Sequence, residues 1–198
     1  MSGWWLVSEH PILFGGPMVR AILDGLKTMT RRVVKPQPPE NGLPVRFWYG
    51  WPGVAPSGED NNVLVSPYRR GGLLWVRETW AKVPWHGVED SCKYLYRADD
   101  PPSYEWDPER GDRWSPSIFM PREASRITLR VTDVRVERLQ DITEEDAVRE
   151  GVQAIPEAPA SLTDRTAFAR LWDSLNAKRG HGWDVNPWVW VIAFERAA

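Results

Sequence analysis

The segment Lys27-Thr28-Met29-Thr30-Arg31-Arg32 places an amine, two hydroxyls and two guanidinium groups within six residues. A threonine hydroxyl is a weak nucleophile unless a base stands beside it. A lysine serves as that base when burial or cationic neighbours lower its pKa. Arg31 and Arg32 are such neighbours in sequence. Together with Lys35, Arg69 and Arg70 they also make a candidate rim for phosphate, or a solvated face. Glu78 is a carboxylate placed to recognise a base amino group, or to pair with Arg77 or another arginine. The stronger signatures are missing. The sequence has no Walker loop, no Gly-rich dinucleotide fingerprint, no His-Glu-x-x-His and no Gly-x-Ser-x-Gly. His10, His86 and His181 stand far apart, without metal-ligand spacing, so no metal and no cofactor is expected.

Elements must position these groups. Pro17-Met18-Val19-Arg20-Ala21-Ile22-Leu23-Asp24-Gly25 reads as a short helix, with Pro17 in the first turn and Gly25 in the left-handed position after the last. Lys27 to Val34 reads as extended. Residues three apart in a regular strand point to opposite faces, so Lys27 and Thr30 converge only if the strand starts after Lys27 or bulges there. Leu73-Leu74-Trp75-Val76 is a buried strand and Tyr94-Leu95-Tyr96 a weaker one. In Arg126 to Val136 the apolar parity flips near Thr132-Asp133, which predicts a bulge or bend. Thr143-Glu144-Glu145-Asp146 is a capping box, with Ile142 placed to staple onto Ala147 and Gly151 ending the helix. Ser161-Leu162-Thr163-Asp164 repeats the signature before a helix faced by Phe168, Leu171, Trp172 and Leu175. Trp188 to Phe194 reads as a central strand buried on both faces.

Two stretches break this pattern. Residues 36–66 carry six prolines among Gly, Asn and Trp, and read as a long loop or insertion rather than a sheet strand. Residues 99–117 form a second Trp/Pro-rich insertion. Few helices and several short, bent strands predict an α+β fold: a small mixed β-barrel with helices plugging its ends, in one domain over 1–198. Trp75, Trp188 and Trp190 are expected in the core. Trp48, Trp51, Trp85 and Trp106 are candidates for stacking, or for pinning the insertions.

Composition narrows the classes. A net charge of −2 excludes a strongly basic coat that grips duplex DNA, though not a local basic groove. The single cysteine, Cys92, excludes an internal disulfide framework. No apolar run approaches the ~18 residues of a membrane span, and the N-terminus lacks a signal peptide's basic start and apolar stretch. A cytoplasmic location without membrane contact is expected.

Gly25-Leu26-Lys27-Thr28-Met29-Thr30, following a short helix, resembles the Gly-x-Lys-x-x-Thr element of the ASCH family, small barrels of the PUA-like superfamily. The resemblance continues in Gly72 to Val76, Ile127 to Val131, Leu139 to Gly151 and Trp190 to Phe194, about half the chain. With Pro11 to Phe14 and Arg31 to Pro36, the sequence is similar to phage and prophage members of that family. PUA-like barrels commonly bind RNA or modified bases, which implies a nucleoside or single-stranded RNA or DNA partner. Some ASCH proteins are amidohydrolases acting on N4-acetylcytidine. Their lysine, their threonine three residues later and their glutamate on the downstream helix map onto Lys27, Thr30 and Glu150. That resemblance implies a catalytic trio; Arg31, Arg32, Arg69 and Arg70 as a rim, with Glu78 beside it, are the candidates for binding substrate. Glu150 precedes the helix-ending Gly151, where carbonyls disfavour a carboxylate and favour a protonated acid able to donate to a leaving amine. The plainer alternative keeps Lys27 as a charge on a helix dipole and Thr30 as an ordinary strand residue. Other ASCH proteins are ribonucleases. A third reading is a non-catalytic phage accessory protein that reads modified bases, or binds a host protein through the insertions.

Overall fold

The computed structural model describes residues 9–38, 46–48, 63–82, 94–99, 113–152 and 163–197. Its elements in chain order are β1 (Glu9–Leu13), α1 (Gly16–Leu23), β2 (Met29–Val33), β3 (Arg46–Trp48), β4 (Val63–Val65) and β5 (Leu73–Arg77). There follow β6 (Trp80–Lys82), β7 (Tyr94–Tyr96), β8 (Thr128–Arg138), α2 (Glu144–Arg149), α3 (Asp164–Asn176) and β9 (Trp188–Arg196). The chain divides into two compact units. One holds Met1–Gly25, Leu73–Leu129 and Arg196–Ala198; the other holds Leu26–Gly72 and Arg130–Glu195. This is a mixed fold of several strands and a few short helices, as the sequence pattern predicts.

In the first unit β1 pairs with β5 in parallel, Glu9 opposite Leu73 and Leu13 opposite Arg77. Parallel partners need a crossover between them. Helix α1 belongs to that crossover. Pro17 stands in its first turn, Gly25 follows it at φ 74, and Val19, Ala21 and Ile22 are buried. Strand β6 pairs antiparallel with β7, and the Trp80 ring meets the Tyr94 ring edge-on at 5.6 Å.

In the second unit β9 lies between β8 and β2. β2 runs antiparallel to β9, with Met29 opposite Ala193, Thr30 opposite Ile192 and Arg31 opposite Val191. Residues 189–194 of β9 are all buried, as a central strand requires. Met29, Val189, Val191 and Ala193 pack with Leu139, Ile142, Ala147, Phe168 and Trp172 into one apolar cluster. That cluster fixes where α2 sits, because Ala147 on α2 and Ile142 before it both belong to it.

Several expectations change. Residues 36–66 contain strand after all: β3 and β4 pair in parallel, Arg46 opposite Val63. Phe47 and Trp48 are aromatic and Val63 and Val65 are β-branched, and three residues suffice to pair between prolines. The cap of α3 is Thr163, whose hydroxyl accepts from Thr166 N, rather than Ser161. Leu175 on α3 is half exposed, so the buried face of that helix ends at Trp172. Trp75 and Trp190 are buried while Trp188 is only half-buried. Trp51, Trp85, Trp106, His86 and Cys92, with most of both insertions, lie outside the described residues. Among the described residues no helix is long and apolar enough to cross a membrane.

Candidate functional site

Helix α2 is short, and its ends do the positioning. Thr143 caps its start, the hydroxyl accepting from Asp146 N at 3.1 Å. At its end Gly151 adopts φ 79, a left-handed conformation that costs glycine little. Gly151 N then donates to Val148 O, and Val152 N to Ala147 O, the paired bonds of a Schellman ending. Two last-turn carbonyls remain, and both are met by the chain around Lys27. Thr28 N donates to Arg149 O at 2.9 Å, and Lys27 Nζ to Glu150 O at 2.7 Å. A cation at this terminus is favoured by the helix dipole. Lys27 therefore does sit on a helix end, that of α2 rather than of α1, which it follows in sequence.

Lys27 Nζ also donates to Glu150 Oε2 and to Met29 O, each at 2.8 Å. These three bonds engage the three donors of an ammonium. The lysine side chain is wholly buried and Glu150 nearly so. Burial holds the Lys27 pKa below the ordinary lysine value, Glu150 pulls it up, and the charges of Arg32 and Arg31 push it further down. The two residues 123 positions apart thus meet in one buried pair.

A second charge layer stands behind them. Arg31 Nη1 donates to Glu150 Oε1 at 3.3 Å, and Nη2 to Asp146 Oδ2 at 2.7 Å and to Glu137 Oε1 at 2.5 Å. Arg135 donates to the same two carboxylates, Nη2 to Asp146 Oδ2 at 2.5 Å and Nε to Glu137 Oε2 at 2.9 Å. Lys27, Arg31 and Arg135 balance Glu150, Asp146 and Glu137. Burial raises the Asp146 pKa, but Arg31 and Arg135 outweigh it and hold the carboxyl below its ordinary value.

Thr30 is buried on β2. That strand begins at Met29, so Lys27 precedes it, which meets one of the two conditions for convergence. Alternation puts Thr30 and Arg32 on the face opposite Met29, Arg31 and Val33. The Thr30 hydroxyl is not among the acceptors of Lys27 Nζ. Of the expected rim, Arg70 is exposed, Arg32 and Arg69 are half-buried, and Arg31 is inside. Its guanidinium is spent on three carboxylates, which takes it off any phosphate-binding surface. Burial lowers the Arg32 pKa and raises that of Tyr68, each opposed by the other's charge.

Glu78 belongs to the first unit and has its own partner. Arg126 grips it with a fork, Nε to Oε1 and Nη2 to Oε2 at 3.0 Å each, and also donates to Asp99 at 2.9 Å. The Arg126 guanidinium lies 4.0 Å over the Tyr96 ring. Burial pushes the Glu78 carboxyl above its ordinary value, although Arg126 pulls it down. Glu78 lines a cavity of about 300 Å³ with Gly16, Pro17, Arg20, Thr79 and Arg97. Arg20 Nη1 donates to Ala98 O there at 3.0 Å.

Sequence reasoning missed Glu137, Arg135 and Asp146 as site groups, and Arg126 as the Glu78 partner. One signal was on the page: Arg135 and Glu137 are two apart on β8, and so share a face. In the sequence pattern Asp146 is the reciprocal half of a capping box. Its carboxylate turns instead to Arg31 and Arg135, and only the Thr143 half of that box forms.

No family model matches the chain, and no curated protein matches it. Two solved structures do. One is an ASCH domain from Lactobacillus crispatus JV V101, 12% identical, covering 96% of this chain and 79% of that one, with a TM-score of 0.43. The other is a DUF984 protein from Enterococcus faecalis V583, 10% identical, covering 97% of this chain and 81% of that one, with a TM-score of 0.40.

Proposed function

We propose that this protein is an ASCH-type, PUA-like barrel that binds a nucleoside or single-stranded nucleic acid, and that it hydrolyses an acyl amide on N4 of cytosine at Lys27, Thr30 and Glu150. The observation that carries the reading is the buried contact of Lys27 Nζ with Glu150 Oε2 at 2.8 Å. A proton passed across that contact turns the ion pair into a neutral amine and a carboxylic acid. The amine takes the Thr30 proton and the Thr30 oxygen attacks the acyl carbon. The protonated Glu150 gives its proton to the departing cytosine amine as the C–N bond breaks. Water then cleaves the acyl-threonine and returns the hydroxyl. Burial of Lys27 and the neighbouring arginine charges favour the neutral amine this cycle requires.

Chromatography of N4-acylated cytidines incubated with the protein tests this. The wild type releases cytidine, and Lys27→Ala, Thr30→Ala and Glu150→Ala each lose at least a hundredfold, the usual scale of acid–base and nucleophilic contributions. No cytidine from any acylated cytidine, or full activity in Lys27→Ala, defeats the proposal. One observation favours a second reading, binding without turnover. All three Lys27 donors are already engaged, so the pair also serves as a structural pin. Saturable binding of N4-acetylcytidine with no product formed selects that reading.

A further inference from the structure

We infer that Arg31 is the positioning residue of the Lys27–Glu150 pair: it holds Glu150 Oε1, so that Oε2 is left facing Lys27. The inference rests on reading that pair as the reactive centre, but its main test does not need turnover. The geometry is specific to one side chain. The Arg31 guanidinium is fully buried, 5.9 Å from the centre of the Phe168 ring. Its Nη1 donates to Glu150 Oε1 at 3.3 Å, with Met29 Sδ at 3.6 Å beside it. Its Nη2 is anchored by Glu137 on β8 and Asp146 on α2, and Arg135 also donates to both of those carboxylates. Arg31 Nε alone has no hydrogen-bond partner among the described residues, so the orientation of the group is set by its two Nη ends.

The consequence follows from the chemistry of a carboxylate. A free carboxylate rotates about its last bond and offers either oxygen to either partner. With Oε1 tied to a rigid guanidinium, the rotation stops and one oxygen is committed to Lys27. The tie also sets a second cation on the anion that stabilises the Lys27 ammonium. Glu150 from the end of α2 and Arg31 and Arg32 from β2 are charged groups that act on Lys27. Glu137, Asp146 and Arg135 are tied to Arg31, directly or through a shared carboxylate. Removing the Arg31 charge lets the pair hold its proton to higher pH. Arg31→Lys keeps a cation at the same place.

The experiment is a pH titration of the Lys27 side chain by NMR on lysine labelled with ¹³C, the signal assigned by its loss in Lys27→Arg. In Arg31→Met the Lys27 midpoint rises by about one pH unit or more, the usual size of an effect from a close charge. In Arg31→Lys it stays close to the wild-type value. Where the wild type releases cytidine, the limb of the pH–rate profile that belongs to the base moves up with the midpoint. If Arg31→Met does not fold, Arg31→Met/Asp146→Asn, which removes one charge of each sign, is titrated in its place, with a smaller rise expected because Glu150 loses the nearer charge. An unchanged midpoint in a folded charge-removing variant overturns the inference. So does an equal shift in Arg31→Lys. Failure of both charge-removing variants to fold also overturns it, and makes Arg31 a structural pin. A wild type that releases no cytidine counts against the proposed activity alone and leaves this titration to be read.

Discussion

Glu150 and Glu78 are both buried carboxylates held by an arginine, one in each unit, and they are built on different plans. Glu150 shares its charge between Lys27 and Arg31, and Arg31 hands on to Glu137, Asp146 and Arg135. The two cations that touch Glu150 are wholly buried. Glu78 has a single fork from Arg126, whose side chain is 25% exposed and whose further partner, Asp99, is 45% exposed. Water reaches the second arrangement and can take over when a partner is lost. In the first, exposure is confined to the outer groups Arg135, Glu137 and Asp146, so the buried Lys27, Arg31 and Glu150 depend on one another. A balanced network with a buried centre holds the Lys27–Glu150 pair in one geometry; an open fork holds a carboxylate at the wall of a cavity.

The largest effect that separates the two plans is Glu150→Ala. It leaves the Lys27 ammonium buried without its carboxylate, at a cost of about 3–5 kcal/mol in urea unfolding. Lys27→Met/Glu150→Leu recovers most of that loss, because Arg31 and Arg135 still balance Glu137 and Asp146. A double variant as unstable as Glu150→Ala breaks the picture of a balanced network. Arg126→Ala costs less, about 1–3 kcal/mol, the scale of leaving a buried acceptor without its donor. A loss equal to that of Glu150→Ala removes the distinction between the plans.

Acid titration sharpens the comparison further, since the carboxyls move in opposite directions. The Glu78 pKa in the fold lies above its ordinary 4.5, so its contribution to stability is complete below 4.5 and is lost as pH rises through the folded value. The Asp146 pKa in the fold lies below its ordinary 3.8, so its contribution is complete above 3.8 and is lost as pH falls through the folded value. Urea midpoints from neutral pH downward separate them. Glu78→Gln flattens the change between neutrality and 4.5, and Asp146→Asn flattens the fall below 3.8. The smallest effect expected is at the helix start. Thr143→Ala removes the cap of α2 and costs about 1 kcal/mol, without moving the Lys27 midpoint.

The elements were legible where local chemistry decides them. Pro17 and Gly25 bracket α1, Thr143 and Gly151 bracket α2, and the apolar run of β9 announces a strand buried on both faces. β3 and β4 were hidden because their triplets are too short to show a period among prolines. The cap of α3 was misplaced because Ser161 and Thr163 both suit a cap, and only the fold chooses between them. At the site, Lys27 and Glu150 came from a resemblance, and nothing local pairs residues 123 positions apart. The sequence does not place Arg31 inside, because a buried arginine and a surface arginine look alike in it. What separates them is three carboxylates brought from β8 and α2, and that is a property of the fold.

The central claim is that Lys27 and Glu150 act as one unit on an acylated cytosine. A double-mutant cycle in kcat/KM for cytidine release from N4-acetylcytidine tests it most directly, with Lys27→Ala, Glu150→Ala and the double variant compared under one condition. The account predicts that the double variant is no slower than the slower single variant, because removing either member already disables the pair. Losses that multiply, each residue contributing independently of the other, would contradict it.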